Sequence, residues 1–168
     1  MTFAIQPEYQ ELAEEYLRLV KMHFGRRLSS VSFFGSAVRG EATPESDLDA
    51  LVVADGLPRE VGLRFRETNH IHRSLRETEA YRRLRSLGRS GIISDIFLTR
   101  QEVLQHPPIL LDIADHGVIA FDRGGFLKEV LESVRRRLTE LGARKVPTRK
   151  GHYWILKPEA KPTETVEI

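Results

Sequence analysis

Asp47 and Asp49 are separated by a single leucine, and the run they open, Leu48 to Ala54, is almost wholly apolar apart from Asp49. Such a run is expected to form a buried β-strand, where side chains alternate faces, so both carboxylates project to one side while Leu48 projects to the other. Two hard oxygen ligands converging on one point suit Mg²⁺, which takes one or two protein carboxylates and leaves its other positions to water and substrate phosphates. A Gly35-Ser36 pair stands ahead of them, at the end of a second apolar run. A glycine there removes a side chain where the strand ends, so that backbone N–H groups and the Ser36 hydroxyl can approach a phosphate at the start of a short helix. Phosphate on one wall and metal on the other is the layout of nucleotidyl transfer. A plainer reading competes with it: Ser46 and Asp47 close the turn around Pro44, and Gly35 is an ordinary strand-end glycine.

The string Gly35-Ser36-Ala37-Val38-Arg39-Gly40, followed by Ser46-Asp47-Leu48-Asp49, resembles the signature of the DNA polymerase β nucleotidyltransferase superfamily, and specifically its minimal nucleotidyltransferase (MNT) members. The likeness is strong over about twenty residues. It implies a small mixed β-sheet flanked by helices, of α/β (α+β) class, and a third carboxylate from a neighbouring strand, for which Asp95 in GIISDIFLT is the matching position. Asp47, Asp49 and Asp95 are then the catalytic and metal-binding set, holding two Mg²⁺ ions, with ATP or another NTP as substrate. Gly35, Ser36 and Arg39 are the expected nucleotide contacts, Arg39 reaching the leaving phosphates, although an ion pair with Glu41 or Glu45 is an equal reading. The resemblance also implies transfer of AMP to a hydroxyl, on a protein side chain of a HEPN-type toxin partner. Two alternatives stay open: an antitoxin-like binding module with an idle site, and an RNA-binding or RNA-directed transferase.

The elements that must position these residues are legible as hydrophobic periodicity. Residues 8–24 space Tyr9, Leu12, Tyr16, Leu19 and Val20 as an amphipathic helix closed by Gly25. Residues 30–34 and 48–54 read as strands, with a few-residue helix and a turn at 43–46 between them. From Arg59 to Leu87 apolar residues recur at helical intervals, with a break expected near Asn69. Ile92 to Leu98 reads as strand again, interrupted by Asp95. A lone buried carboxylate costs several kcal/mol, roughly, unless it is paired or binds a cation, so Asp95 needs a metal or an arginine. Thr99 to Glu102 has the form of a capping box. Asp112 and Asp115 in ILLDIADHG lie three apart, a fallback source for the third carboxylate against a helix-end or solvated role. Val118 to Phe121 reads as an edge strand, Gly124-Gly125 as the lead into a helix through Leu141, and RKVPTRKGHYWILKP as a basic turn around an edge strand. The nucleotidyltransferase domain is expected over 1–157 and a flexible tail over 158–168.

Several other residues have bland readings. His70 and His72, two apart on a helix, diverge and make a poor metal pair. Arg66 and His72 have the spacing of a HEPN ribonuclease motif, without the rest of that all-helical family. Tyr153 and Trp154 could stack on a base, but core contacts are the simpler reading. Lys145, Arg149 and Lys150 read as a solvated loop.

At 168 residues, with 40% hydrophobic and 30% charged content, the chain fits one domain with a real core. The absence of cysteine excludes disulfides and thiolate metal sites, in keeping with a reducing cytoplasm. No exported leader is expected in MTFAIQPEYQ, and no stretch reaches the roughly 18 apolar residues of a membrane span. The formal charge of +2 hides an acidic first third and a run of arginines between Arg59 and Arg89. Those arginines could hold a triphosphate or a nucleic-acid backbone, yet interleaved Glu60, Glu67, Glu77 and Glu79 favour a solvated helix face.

Overall fold

Two strands carry the centre of the molecule. In the computed structural model, which describes residues 3–148, 151–160 and 166, strand β1 (Leu28–Phe34) is buried along its whole length and β2 (Leu48–Ala54) is buried everywhere except at Asp49. Strands covered on both faces read as continuous apolar runs, which is how the sequence presents them. The four-stranded sheet has the order β3-β2-β1-β4, where β3 is Ile93–Leu98 and β4 is Val118–Asp122. β1 runs antiparallel to both β2 and β4, while β3 runs parallel to β2. The sheet is therefore mixed, and a parallel β2–β3 pair needs a long crossover. Helices α3 (Val61–Arg76) and α4 (Glu79–Ser86) supply it.

The alternation of β2 splits the core in two. Leu48, Ala50, Val52 and Ala54 face a cluster built on α1 (Gln10–Phe24), α3 and α4, with Tyr9, Tyr16, Ile71, Leu75 and Leu84. Leu51 and Val53 face the other side, against α5 (Arg100–Val103), α6 (Ile109–His116) and α7 (Phe126–Glu140). The remaining helix, α2 (Ser36–Arg39), is a single turn between β1 and β2. A separate hairpin of β5 (Arg144–Thr148) and β6 (Gly151–Ile155) packs Trp154 against the second core.

Two expectations about elements need correction. The long helical segment breaks at Glu77-Thr78, not near Asn69, because the Thr78 hydroxyl accepts the Tyr81 N–H and so caps α4. Asn69 lies inside α3. The stretch read as a basic turn contains strand β5, whose Pro147 is tolerated in a two-stranded ribbon. The Thr99–Glu102 capping box is present as expected. Most of the expected tail, residues 161–165 and 167–168, lies outside the described residues. Among the described residues no helix is long and apolar enough to cross a membrane.

Candidate active site

Asp49 lies on β2 opposite Phe34, the last residue of β1, and Gly35 follows immediately. Gly35 adopts φ +79° and ψ −158°, a conformation essentially reserved for glycine. A Cβ at that position would overlap the Asp49 carboxylate, standing 2.9 Å from its Cγ. Bare backbone is therefore what lets the carboxylate occupy this corner. Asp47 precedes β2 by one residue and accepts a hydrogen bond from the Ser90 hydroxyl at 2.9 Å. The turn ahead of it belongs to Ser46, whose Oγ accepts the Thr43 N–H at 2.9 Å, so Ser46 takes the turn role and Asp47 stays free of it.

Electrostatics tie the corner together. Burial pushes Asp49 up from the usual carboxylate range to about 6, and the negative charge of Asp47 adds to it. Arg39 and a hydrogen bond from Ser94 pull the other way, and Asp112 on α6 raises it further. Arg39 also donates from Nε to Glu41 at 2.8 Å, the ion pair weighed against phosphate contact. The same guanidinium thus serves the pair and lies within reach of the cleft.

Asp95 does not join the other two. In the β2–β3 register Asp49 pairs with Ser94, whereas Asp95 pairs with Ala50 and shares its face of the sheet. That face is the α1/α3 side. There Asp95 Oδ2 accepts the Tyr16 hydroxyl at 2.7 Å and lies 2.9 Å from His72 Nε2. Tyr16 is fully buried, and burial together with Asp95 holds its hydroxyl well above the ordinary range. The expectation that Asp95 converges with Asp47 and Asp49 thus departs from the register, and the partners of its carboxylate are a tyrosine and a histidine, not an arginine. Among the described residues no group of three His, Asp or Glu side chains has the arrangement of a metal site.

Which residues could hold a divalent cation is then a question about the Asp47–Asp49 pair. Two carboxylates on one side of a strand, the second destabilised by burial and by the first, fit a cation that would neutralise both. Three neighbours escaped the sequence reading. Ser94 and Ser90 hydrogen-bond the two carboxylates. His152 on β6 lies with Nε2 2.6 Å from Asp112 Oδ1. Only Ser94 had a signal, as the residue alternating with Asp95.

The remaining candidates resolve simply. His70 Nδ1 contacts the Glu67 carbonyl and His72 the Asp95 carboxylate, so the two diverge. Of the arginine run, Arg64 is buried and bidentate to Glu102, Arg83 pairs with Glu11, and Arg89 with Glu8. Tyr153 is exposed, Trp154 is packed on the second core, and Lys145 pairs with Asp115. Arg149 and Lys150 lie outside the described residues.

Residues 12–113 match the family model described as nucleotidyltransferase domain, and the chain belongs to that family. It is a nucleotidyltransferase, as the Gly-Ser and Asp-x-Asp motifs led one to expect. An inferred protein adenylyltransferase of Methanocaldococcus jannaschii is 32% identical over 127 residues, covering 74% of this chain and 79% of that protein. Among solved structures, a toxin–antitoxin complex with AMP-PNP aligns with a TM-score of 0.48 and 12% identity, over 77% of this chain and 91% of that one. A tri-AMPylated Shewanella oneidensis HEPN toxin in complex with MNT antitoxin aligns with a TM-score of 0.44 and 11% identity, over 78% and 92%.

Proposed function

We propose that this chain transfers AMP from ATP to a hydroxyl on a protein side chain, with Mg²⁺ held by Asp47 and Asp49. The observation that carries this reading is the strained Gly35 corner, where a glycine is required so that Asp49 can stand beside Asp47. The Methanocaldococcus relative, an inferred protein adenylyltransferase, supports AMP as the group transferred. When bound, the divalent ions neutralise charge on the attacking and leaving oxygens of an in-line displacement. The protein's own share is positioning and fixed charge. The Gly35 backbone and the Ser36 hydroxyl are proposed to hold the β- and γ-phosphates, and Arg39, swinging from Glu41, to meet the departing pyrophosphate. A HEPN-type protein is the proposed acceptor, as the MNT resemblance implies.

A second reading has one observation in its favour. Asp95, the expected third carboxylate, faces the other side of the sheet, which would suit an antitoxin-like module that binds a partner with its site idle. Incubation of the chain with ATP labelled at the α-phosphate, Mg²⁺ and a HEPN-type partner separates the two. Label on the partner, abolished by EDTA and by Asp47→Ala plus Asp49→Ala, supports transfer. A partner bound by wild type and double variant alike, and unlabelled by both, would establish the module.

A further inference from the structure

Transfer to a hydroxyl requires that its proton go somewhere, and β3 puts no carboxylate on the Asp49 face. Ser94 is there instead. That face is crossed by α6, which packs in the second core with Leu51 and Val53, and Asp112 sits on its first turn. Its charge reaches Asp49. Against Asp112 lies His152 of β6, its Nε2 2.6 Å from Oδ1, with the Trp154 indole N–H directed at the same oxygen at 3.5 Å. A carboxylate can only accept, so Nε2 carries a hydrogen and donates it, and Nδ1 is left with the lone pair of a base. The His152 side chain keeps 18% of its surface open to solvent. One turn further along the same face of α6, an ion pair of Lys145 with Asp115 fastens the same hairpin.

We infer that His152, held against Asp112 on the Asp49 side of the sheet, is the base that receives the acceptor's proton, in the role the resemblance gave to a β3 carboxylate. The inference rests on the adenylyltransferase reading above. In the step, the acceptor oxygen bonds to the α-phosphorus, the bond from that phosphorus to the bridging oxygen of pyrophosphate breaks, and the hydroxyl proton passes to His152 Nδ1. The imidazolium so formed is stabilised by the Asp112 carboxylate. His152 is the catalytic residue and Asp112 a positioning residue. A carboxylate–imidazole pair of this kind holds the tautomer and the ring angle at once.

The test is Mg²⁺-dependent pyrophosphate release from ATP, with water as the acceptor, measured alongside ATP binding and the melting temperature. His152→Ala is expected to lower kcat by about 10²- to 10³-fold while KM for ATP stays within about twofold. Imidazole added to that variant is expected to recover part of the rate, and Asp112→Asn to lose about tenfold or more. Lys145→Ala, which loosens the hairpin without touching the ring, is expected to keep the wild-type rate within about twofold. Wild-type turnover in His152→Ala, or an equal loss in Lys145→Ala, would overturn the assignment. If Asp47→Ala plus Asp49→Ala is dead while His152→Ala is fully active, only the base is lost and the transferase reading stands. A wild type that is silent with water and also leaves a HEPN-type partner unlabelled overturns both.

Discussion

At the scale of single residues, Asp49 concentrates the tension of the site. Its pKa lies above that of an unfolded aspartate, about 6 against roughly 4, so between those values the folded chain holds more protons than the unfolded one. Metal-free stability therefore falls as pH rises from about 4 to about 6 and stays low above that. Asp49→Asn is expected to melt at higher temperature than wild type at pH 8, and this gain is expected to vanish below about pH 4, as thermal scans across pH would register. Mg²⁺ should reverse the trend, stabilising wild type more at pH 8 than at pH 5 and leaving Asp49→Asn unmoved. Gly35 is the second sensitive position. Alanine there meets both a forbidden backbone region and the Asp49 carboxylate, so Gly35→Ala is expected to cost about 1–3 kcal/mol in urea unfolding and to abolish ATP binding.

At the scale of elements, two buried polar knots lock the helices to the sheet. Asp95 of β3 joins Tyr16 of α1 to His72 of α3. Asp95→Asn leaves this knot poorly paired and is expected to cost about 1–3 kcal/mol by denaturant titration, without loss of metal binding. Arg64 of α3 makes the other knot, donating to the Phe97 carbonyl at 2.8 Å and to both oxygens of Glu102 at 2.9 and 2.7 Å. Those hydrogen bonds from Arg64, helped by the Thr99 cap, hold Glu102 down at about 2. The contribution of Glu102 is present above the unfolded carboxylate range and fades as pH falls from there toward about 2. Glu102→Gln should therefore lower the melting temperature at pH 7 and converge on wild type in strong acid. Arg64→Ala removes a buried guanidinium that donates to two carbonyls and to Glu102, which itself keeps 36% of its side chain open to solvent, and is expected to cost about 1–3 kcal/mol.

At the scale of the whole molecule, what the sequence disclosed and what it hid divide by range. The Asp47–Asp49 pair, the Gly35 corner and the two central strands are local patterns of alternation and apolarity, and they appear in the fold as read. Asp95 was the failure, for a physical reason. Period-two alternation dictates that Ser94 and Asp95 face opposite ways, but which of them meets Asp49 depends on the β2–β3 register, and that is set by a crossover through α3 and α4. With Ile93 and Ile96 flanking the pair, neither face of β3 is polar enough to betray it. The helix break was misplaced because the Thr78 cap acts through a single hydroxyl, and β5 was hidden by Pro147 and its basic neighbours. The arginine run, which suggested a phosphate-binding surface, spends Arg64, Arg83 and Arg89 on carboxylates within the fold. Asp47 and Asp49, without Asp95, are the proposed cation site. Titration of Mn²⁺ with ATP present, followed by electron paramagnetic resonance on Asp47→Asn, Asp49→Asn and Asp95→Asn, tests it most directly. Binding is expected to be lost in the first two and kept in the third; binding lost in a well-folded Asp95→Asn, or kept in Asp49→Asn, would contradict this assignment.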